Sequence, residues 1–160
     1  MSRTTDARNR VLALFKQNGW DYCTVSSLRI RYIVRTSFCL EHFRSIPCEI
    51  RLSAGSLKVI ASVTLRCINP FHELEILRFA NCVNREIEYG SLLYDGSSEL
   101  FSHILTVPFW ILDEMDRKEL EQCILFPAEV LDRCAESTVM IEGGSNPRIE
   151  AYFSLERKSS

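Results

Sequence analysis

Residues 48–66 read CEIRLSAGSLKVIASVTLR, and this stretch decides the fold. Apolar residues alternate with polar ones from Cys48 to Ser53, and a longer alternation runs from Leu57 to Leu65. The short segment Ala54-Gly55-Ser56 separates the two runs. A period of two is typical of a strand with one buried face, so the stretch predicts an antiparallel hairpin.

Further strands are predicted on both sides of this hairpin. Alternation over 28–35 indicates a strand before it, and two more are expected at about 88–94 and 99–107, joined by the turn Asp95-Gly96. Helices are predicted from apolar spacings of three and four over 5–18, from Pro70 onward after the N-cap Asn69, and over 116–141. Pro127 is expected to kink or break the last helix.

The predicted element order is α-β-β-β-α-β-β-α. Helices that are separated from hairpin strands favour an α+β fold, an antiparallel sheet of about five strands with helices on one face. Gly143-Gly144 is expected to end the last helix. We expect one domain over 1–145 and a partly disordered C-terminal tail over 146–160, whose last five residues have no means of packing.

The composition is that of a globular protein. The 160 residues include 19 Lys+Arg and 21 Asp+Glu, a formal net charge of −2, with 46% hydrophobic residues. The most apolar windows contain residues such as Lys58 and Ser62, so no membrane span is expected. The N-terminal residues lack the apolar run of a signal peptide, which predicts a cytoplasmic protein.

Cysteine and histidine do not form a recognisable site in the sequence. The seven Cys are odd in number and contain no C-x-x-C pair, so we expect buried free thiols rather than disulfides. The three histidines, His42, His72 and His103, have no metal-binding spacing, and no phosphate-binding or nucleophile motif is present. We therefore predict no catalytic, cofactor or metal site. A Cys–His pair assembled only in the fold remains an alternative.

Residues from about 70 to 147 resemble the YbjN family of small bacterial proteins. The resemblance rests on Pro70, on Ala80-Asn81-Cys82-Val83-Asn84-Arg85, on Gly90, on Asp95-Gly96, and on the long last helix followed by Ile141-Glu142-Gly143-Gly144-Ser145-Asn146-Pro147. It covers about half of the chain well, and residues 5–67 match only in element order. These motifs are a helix end, two turns and a helix stop, and none is chemically specific.

The resemblance implies a fold like that of type III secretion chaperones. Family members are described as candidate regulators of bacterial sensory transduction without an established enzymatic activity. The related chaperones bind extended segments of partner proteins and are commonly dimers. No functional residues come with the family.

The charges are divided unevenly along the chain. Residues 1–60 carry 10 Lys+Arg and 4 Asp+Glu, a balance of +6, and residues 61–160 carry 9 and 17, a balance of −8. The strand positions opposite the apolar stripe hold basic residues, which are Arg29, Arg31, Arg35, Arg51, Lys58 and Arg66. This face either attracts an anionic partner or is a solvated outer face. Nucleic acid binding is not expected, because the face lacks aromatic residues for base stacking.

The apolar segment Val107-Pro108-Phe109-Trp110-Ile111-Leu112 is the second unusual feature. It either packs under the last helix as core or presents an apolar patch, and such patches usually mark interfaces. We place a partner contact, or a homodimer contact, first at Phe109, Trp110 and Ile111.

The sequence as a whole predicts a non-enzymatic protein-interaction module that binds a protein partner through its sheet surface or edge. Two alternatives stay open. One is a thiol-based enzyme or redox-responsive protein, and the other is an anion- or nucleic-acid-binding protein that uses the basic sheet face.

Overall fold

The structure is a computed structural model that describes residues 2–26 and 32–156. Its helices and strands follow the hairpin and cap signals of the sequence. In chain order they are α1 (Arg3–Asn18), β1 (Cys23–Val25), β2 (Tyr32–Phe38), β3 (Ile46–Ser53), β4 (Ser56–Thr64), α2 (Pro70–Asn84), β5 (Ser91–Asp95), β6 (Leu100–Pro108), α3 (Phe109–Leu112), α4 (Arg117–Glu142) and α5 (Pro147–Glu156).

The strands form one antiparallel sheet in the order β1-β2-β3-β4-β6-β5. The β3–β4 hairpin lies at its centre, with Cys48 opposite Ala61 and Leu52 opposite Leu57. The chain then crosses through α2 to the edge strand β5 and returns as β6 beside β4. The α+β class is therefore confirmed. The sheet has six strands rather than five, because three residues that lack an alternating pattern pair with β2 as β1.

Alternation along the central strands separates a buried face from an open one. Ile50, Leu52, Leu57 and Val59 are completely buried, whereas Arg51 and Lys58, which alternate with them along the strands, are half-buried. On the buried face α1 packs against β3, α4 packs across β3, β4 and β6, and α2 packs against β5. Burial of these side chains is the main stabilising term, at about 1.5–3 kcal/mol for each large aliphatic residue.

The helix ends use local caps that the sequence contains. The Asn69 side chain accepts from the His72 N–H at the start of α2, and Asp116 and Glu119 form a reciprocal capping box at the start of α4. α4 runs unbroken through the buried Pro127, so the helix does not break there. It ends at Gly143, and the following Gly144 has a φ of +97°.

The expected tail is corrected for residues 147–156, which form the helix α5 and pack on α2 and α4. Ala151 and Ser154 are buried, and the Ser137 hydroxyl donates to the Glu150 carbonyl oxygen at 3.1 Å. Asn146-Pro147 starts a helix in the same way as Asn69-Pro70, a signal that the preceding glycines obscured. Within the described residues, no helix is both long enough and apolar enough to cross a bilayer.

Candidate functional site

The two strands of the β5–β6 hairpin differ in length, and this difference opens one edge of the sheet. β5 has five residues and its pairing with β6 ends where Ser91 faces Ile104. β6 continues to Pro108 and pairs over this last part with β4. Residues 105–108 therefore have a strand neighbour on one side only within the described chain.

The backbone of this open half can accept another strand at one residue. The Phe109 N–H donates to the Gly55 carbonyl oxygen on the β4 side, at 2.9 Å. Because polar groups alternate between the two sides of a strand, the N–H and C=O of Thr106 point toward the open edge. Pro108 would point an N–H the same way but has none, which limits strand addition to the Thr106 position.

An apolar cleft of about 630 Å³ lies where β5 is missing, between β6 and α4. We call it the β6 cleft. Its floor comes from the inward residues of β6, its wall from α4, and its ends from the turn before β5 and the segment after β6. The apolar residues that define it are Tyr89, Leu105, Val107, Ile111, Met115 and Phe126.

One end of the β6 cleft is held in place by a buried histidine. The His103 ring packs edge-on against Phe126, with centroids 5.5 Å apart, and Phe126 also contacts the ring of Tyr89. His103 Nε2 donates to the Tyr89 carbonyl oxygen at 3.1 Å, whereas its buried Nδ1 has no partner among the described residues. Burial lowers the pKa of His103 to about 4, so the ring is neutral at pH 7.

The other end is fixed by an arginine from α1. The Arg10 guanidinium donates to the carbonyl oxygens of Leu112 and Met115, both at 2.6 Å. These carbonyls belong to the last turn of α3 and the residues after it, where a cation is favourable. Arg10 therefore ties α1 to the segment that carries Ile111 and Met115.

The charge at the rim of the β6 cleft is negative. Of the described residues that line the cleft, the charged ones are Glu114 and Glu119, and both are exposed. The cleft thus offers an apolar interior beside two carboxylates. A basic or neutral occupant is favoured over an acidic one.

The segment Val107–Leu112 divides between the core and the surface. Phe109 is 3% exposed and Leu112 is also buried, so Phe109 is core and unavailable for the predicted partner contact. Trp110 is 68% exposed on α3, and the half-buried Ile111 lines the β6 cleft. The structure thus brings Ile111, but not Phe109, to the candidate site.

The predicted basic face is partly neutralised. Arg35, Arg51 and Lys58 lie on the open face of the sheet as expected, but Glu49 lies between the two arginines. Its carboxylate accepts from Arg35 Nε at 3.0 Å and from Arg51 Nε, and these hydrogen bonds lower the pKa of Glu49 against the opposing effect of its burial.

Of the remaining predicted basic residues, Arg66 does not extend that face. Arg66 lies beyond the end of β4 and pairs with Glu99 at 3.5 Å. Arg29 and Arg31 lie outside the described residues. Of the described residues of β2, β3 and β4 that lie on this face, none is aromatic.

The seven cysteines are free, but they are not uniformly buried. Cys48 and Cys134 are buried, whereas Cys23 and Cys39 are exposed, so the prediction of a buried thiol is wrong for the latter two. Burial raises the pKa of Cys48 to about 12 and also raises the pKa of Cys67 and Cys123, which disfavours their thiolates.

His42 is the one histidine with carboxylate partners in the described residues. The buried Asp132 of α4 accepts from the backbone N–H groups of His42 and Phe43, at 2.9 and 3.0 Å, and lies 3.2 Å from His42 Nδ1. Glu136 lies 3.5 Å from Nε2. These contacts occupy both ring nitrogens and fasten the loop to α4. The described chain contains no cluster of three or more ligands suited to a metal ion.

We expect Asp132→Asn to move the pKa of His42 down toward 6.5. The hydrogen bond to Asp132 is the largest cause of the raised pKa, ahead of the opposing effect of burial and the charges of Asp132, Glu41 and Glu136. NMR titration of the histidine ring protons measures this change. Glu41→Gln is the control and should lower the pKa less. An unchanged pKa in Asp132→Asn would contradict the contact.

Comparisons with known proteins place the fold but not the function. No family model matches the chain, and no curated protein matches it. A solved structure with a similar fold is that of an uncharacterized protein from Methanothermobacter thermautotrophicus, with a TM-score of 0.51 and 12% sequence identity. The match covers 86% of this chain and 96% of the other. At this identity the likeness shows a shared fold alone.

Proposed function

We propose that this protein is a non-enzymatic interaction module that binds an extended segment of a partner protein in the β6 cleft. The observation that carries the proposal is the meeting of an open strand edge with an apolar cleft at residues 105–108. An added strand pairs its backbone with the edge and places alternate side chains in pockets beside it.

The cleft favours a segment of particular chemistry. Side chains that point inward would contact Leu105, Val107 and Phe126, so they should be aliphatic or aromatic. Glu114 and Glu119 at the rim favour Lys or Arg in the flanking positions. The expected occupant is therefore a short extended segment with alternating apolar residues and a positive charge.

Apolar contact must supply most of the affinity. The open edge offers the N–H and C=O of one residue, Thr106, and each backbone hydrogen bond contributes about 1 kcal/mol net. Tyr89, Phe126 and Ile111 provide aromatic and aliphatic surface that a partner would cover. Affinity is then set by side-chain complementarity, and the backbone bonds set orientation and register.

The resemblance to the YbjN family supports the same class of function. Within this proposal the protein acts as a chaperone-like adaptor or as a regulator of bacterial sensory transduction, in the cytoplasm. Dimerisation belongs to the proposal as well, because Trp110 exposes two thirds of its surface beside the cleft.

The proposal is tested by selecting ligands from a library of short random peptides displayed on phage. We expect enrichment of peptides with apolar residues at every second position and with Lys or Arg at the flanks. Backbone NMR with one such peptide should perturb the amides of residues 104–107 and of α4 near Phe126. Peptides without this pattern that perturb another surface would overturn the proposal.

Thr106→Pro should weaken binding of the selected peptide about fivefold to tenfold, since it deletes one edge hydrogen bond. The exposed Thr106 uses its N–H on the open side, so the fold should tolerate the change. Thr106→Val keeps the N–H and is the matched control. Isothermal titration calorimetry gives the dissociation constants. Equal affinities for the two variants would refute strand addition.

Light scattering, which measures the molar mass in solution, distinguishes a partner segment in the β6 cleft from a second copy of the chain. If the chain forms a dimer that Thr106→Pro separates, a second copy and not a partner segment fills the β6 cleft, and the proposal as stated is wrong. A dimer that binds peptide and is kept by Thr106→Pro agrees with the whole proposal, whereas a monomer that binds peptide supports the peptide site and refutes the dimer.

A further inference from the structure

A second cleft, of about 470 Å³, lies between α2 and the start of α5, away from the β6 cleft. Three arginines from two parts of the chain line it. Arg78 is on α2, Arg85 follows the last residue of α2, and Arg148 is in the first turn of α5. We call it the arginine cleft. This concentration of positive charge contrasts with residues 61–160 as a whole, which carry a net charge of −8.

The cations of the arginine cleft are only partly neutralised. Arg78 Nη1 donates to the Oε1 of Glu75 at 2.6 Å, and the Glu75 side chain is 12% exposed, so this pair is held in place. Arg85 and Arg148 form no ion pair with a described carboxylate. Three arginines and one glutamate leave a local charge of 3 − 1 = +2.

Neutral donors add to these charges. Asn81 and Asn146 line the same cleft, and the Asn146 Oδ1 already accepts from the Arg148 N–H at 2.9 Å. The side chain of Asn146 therefore has its two Nδ2 hydrogens left as donors for a ligand. α5, a helix of ten residues, begins at Pro147 and directs the positive end of its dipole toward the cleft.

A larger groove of about 750 Å³ adjoins the arginine cleft. Arg85 and Arg148 line both spaces, and the groove continues along α5 past Ala151, Tyr152 and Leu155. Glu86 and Glu156 also line the groove, so its far part is not basic. A ligand that spans both spaces would place an anionic group among the arginines and an apolar group beside Tyr152.

We propose that the arginine cleft binds the phosphate group of a small organic phosphate, with the organic part in the adjoining groove. A phosphate monoester is close to a dianion at pH 7 and matches the local charge of +2, whereas a carboxylate carries half of that charge. Guanidinium groups match the geometry of phosphate oxygens through paired hydrogen bonds. The site is separate from the β6 cleft, so its test does not depend on whether the β6 cleft binds a peptide.

The test is calorimetric titration of the full chain at low ionic strength with phenyl phosphate, inorganic phosphate and benzoate. Phenyl phosphate should bind at least about tenfold more tightly than benzoate, and its affinity should fall as salt is added. Inorganic phosphate should bind more weakly than phenyl phosphate, because it leaves the groove empty. Phenyl phosphate that fails to bind, or binds no better than benzoate, overturns the proposal.

Paired variants locate the site. Arg85→Gln with Arg148→Gln should weaken phenyl phosphate binding about tenfold or more, and Arg44→Gln with Arg66→Gln removes the same charge elsewhere and should leave binding within about twofold. Both pairs lie on the surface, and thermal unfolding checks that each folds. If both double variants lost the same affinity for phenyl phosphate, net charge alone would explain the binding and the proposed site would be refuted. Equal affinity for inorganic and phenyl phosphate would refute the groove as part of it.

Discussion

Replacing Gly90 with alanine should lower the free energy of unfolding by about 3 kcal/mol or more. Gly90 has a φ of +73°, a conformation that costs an L-residue about 1–2 kcal/mol. An added Cβ would also lie 2.5 Å from the Ile104 carbonyl oxygen and 2.7 Å from His103 Nε2. Since backbone and a buried ring cannot move aside cheaply, the two penalties act together.

Substitutions at two other glycines measure the backbone strain and the steric clash separately. Gly19 has a φ of +66° with open space around its Cβ position, so Gly19→Ala should cost about 1–2 kcal/mol from strain alone. A Cβ at Gly96 would meet the Glu73 carboxylate, the end of a flexible side chain, and we expect Gly96→Ala to cost under about 1 kcal/mol. Urea unfolding of all three variants gives the comparison. A Gly90→Ala variant no less stable than Gly19→Ala would show that the predicted contact is absent.

Acidification from pH 6.5 toward 4 should destabilise the protein by up to about 3 kcal/mol through His103. Burial, partly opposed by the hydrogen bond to the Tyr89 carbonyl, puts the pKa of the folded-state imidazole at about 4, below the unfolded value of 6.5. The unfolded chain therefore binds a proton that the folded chain excludes. This contribution is complete above 6.5 and is lost as the pH falls toward 4.

Replacing His103 with leucine should flatten this pH dependence, because leucine stays neutral and buried. His42→Gln is a control of opposite sign. The pKa of His42 is raised in the folded state, so His42 adds stability below 6.5 and loses it as the pH rises through the folded-state value. Removing His42 should therefore make the free energy of unfolding fall more steeply as the pH is lowered. Urea unfolding at pH 7.5 and pH 5 measures both slopes, and parallel slopes in wild type and His103→Leu would contradict the assignment.

Local signals in the sequence predict most of the fold. The alternation of residues 48–66, the cap Asn69-Pro70 and the turn Asp95-Gly96 each act within a few residues, and each is found where it was expected. β1 was missed because three residues cannot show a period. α5 was missed because the glycines before it obscured the start signal Asn146-Pro147.

The candidate site depends on relations that no local pattern contains. The β6 cleft exists because β5 is shorter than β6, whereas the sequence predicts two strands of similar length. Asp132 meets His42 across ninety positions of chain, and Phe126 meets His103 across twenty-three. Alternation placed Arg35 and Arg51 on the correct face, but it placed Glu49 there too, and the cluster became a neutralising network.

The missing N–H of Pro108 has a consequence for how the protein behaves when concentrated. A sheet edge that can take one strand can in principle take an endless series of them, which is how fibrils grow. At the β6 cleft the usable edge is confined to the surroundings of Thr106, so a guest strand there is short and its own outer edge offers little for the next. We expect the β6 cleft to saturate at one guest per chain, with no polymer growing from this part of the sheet.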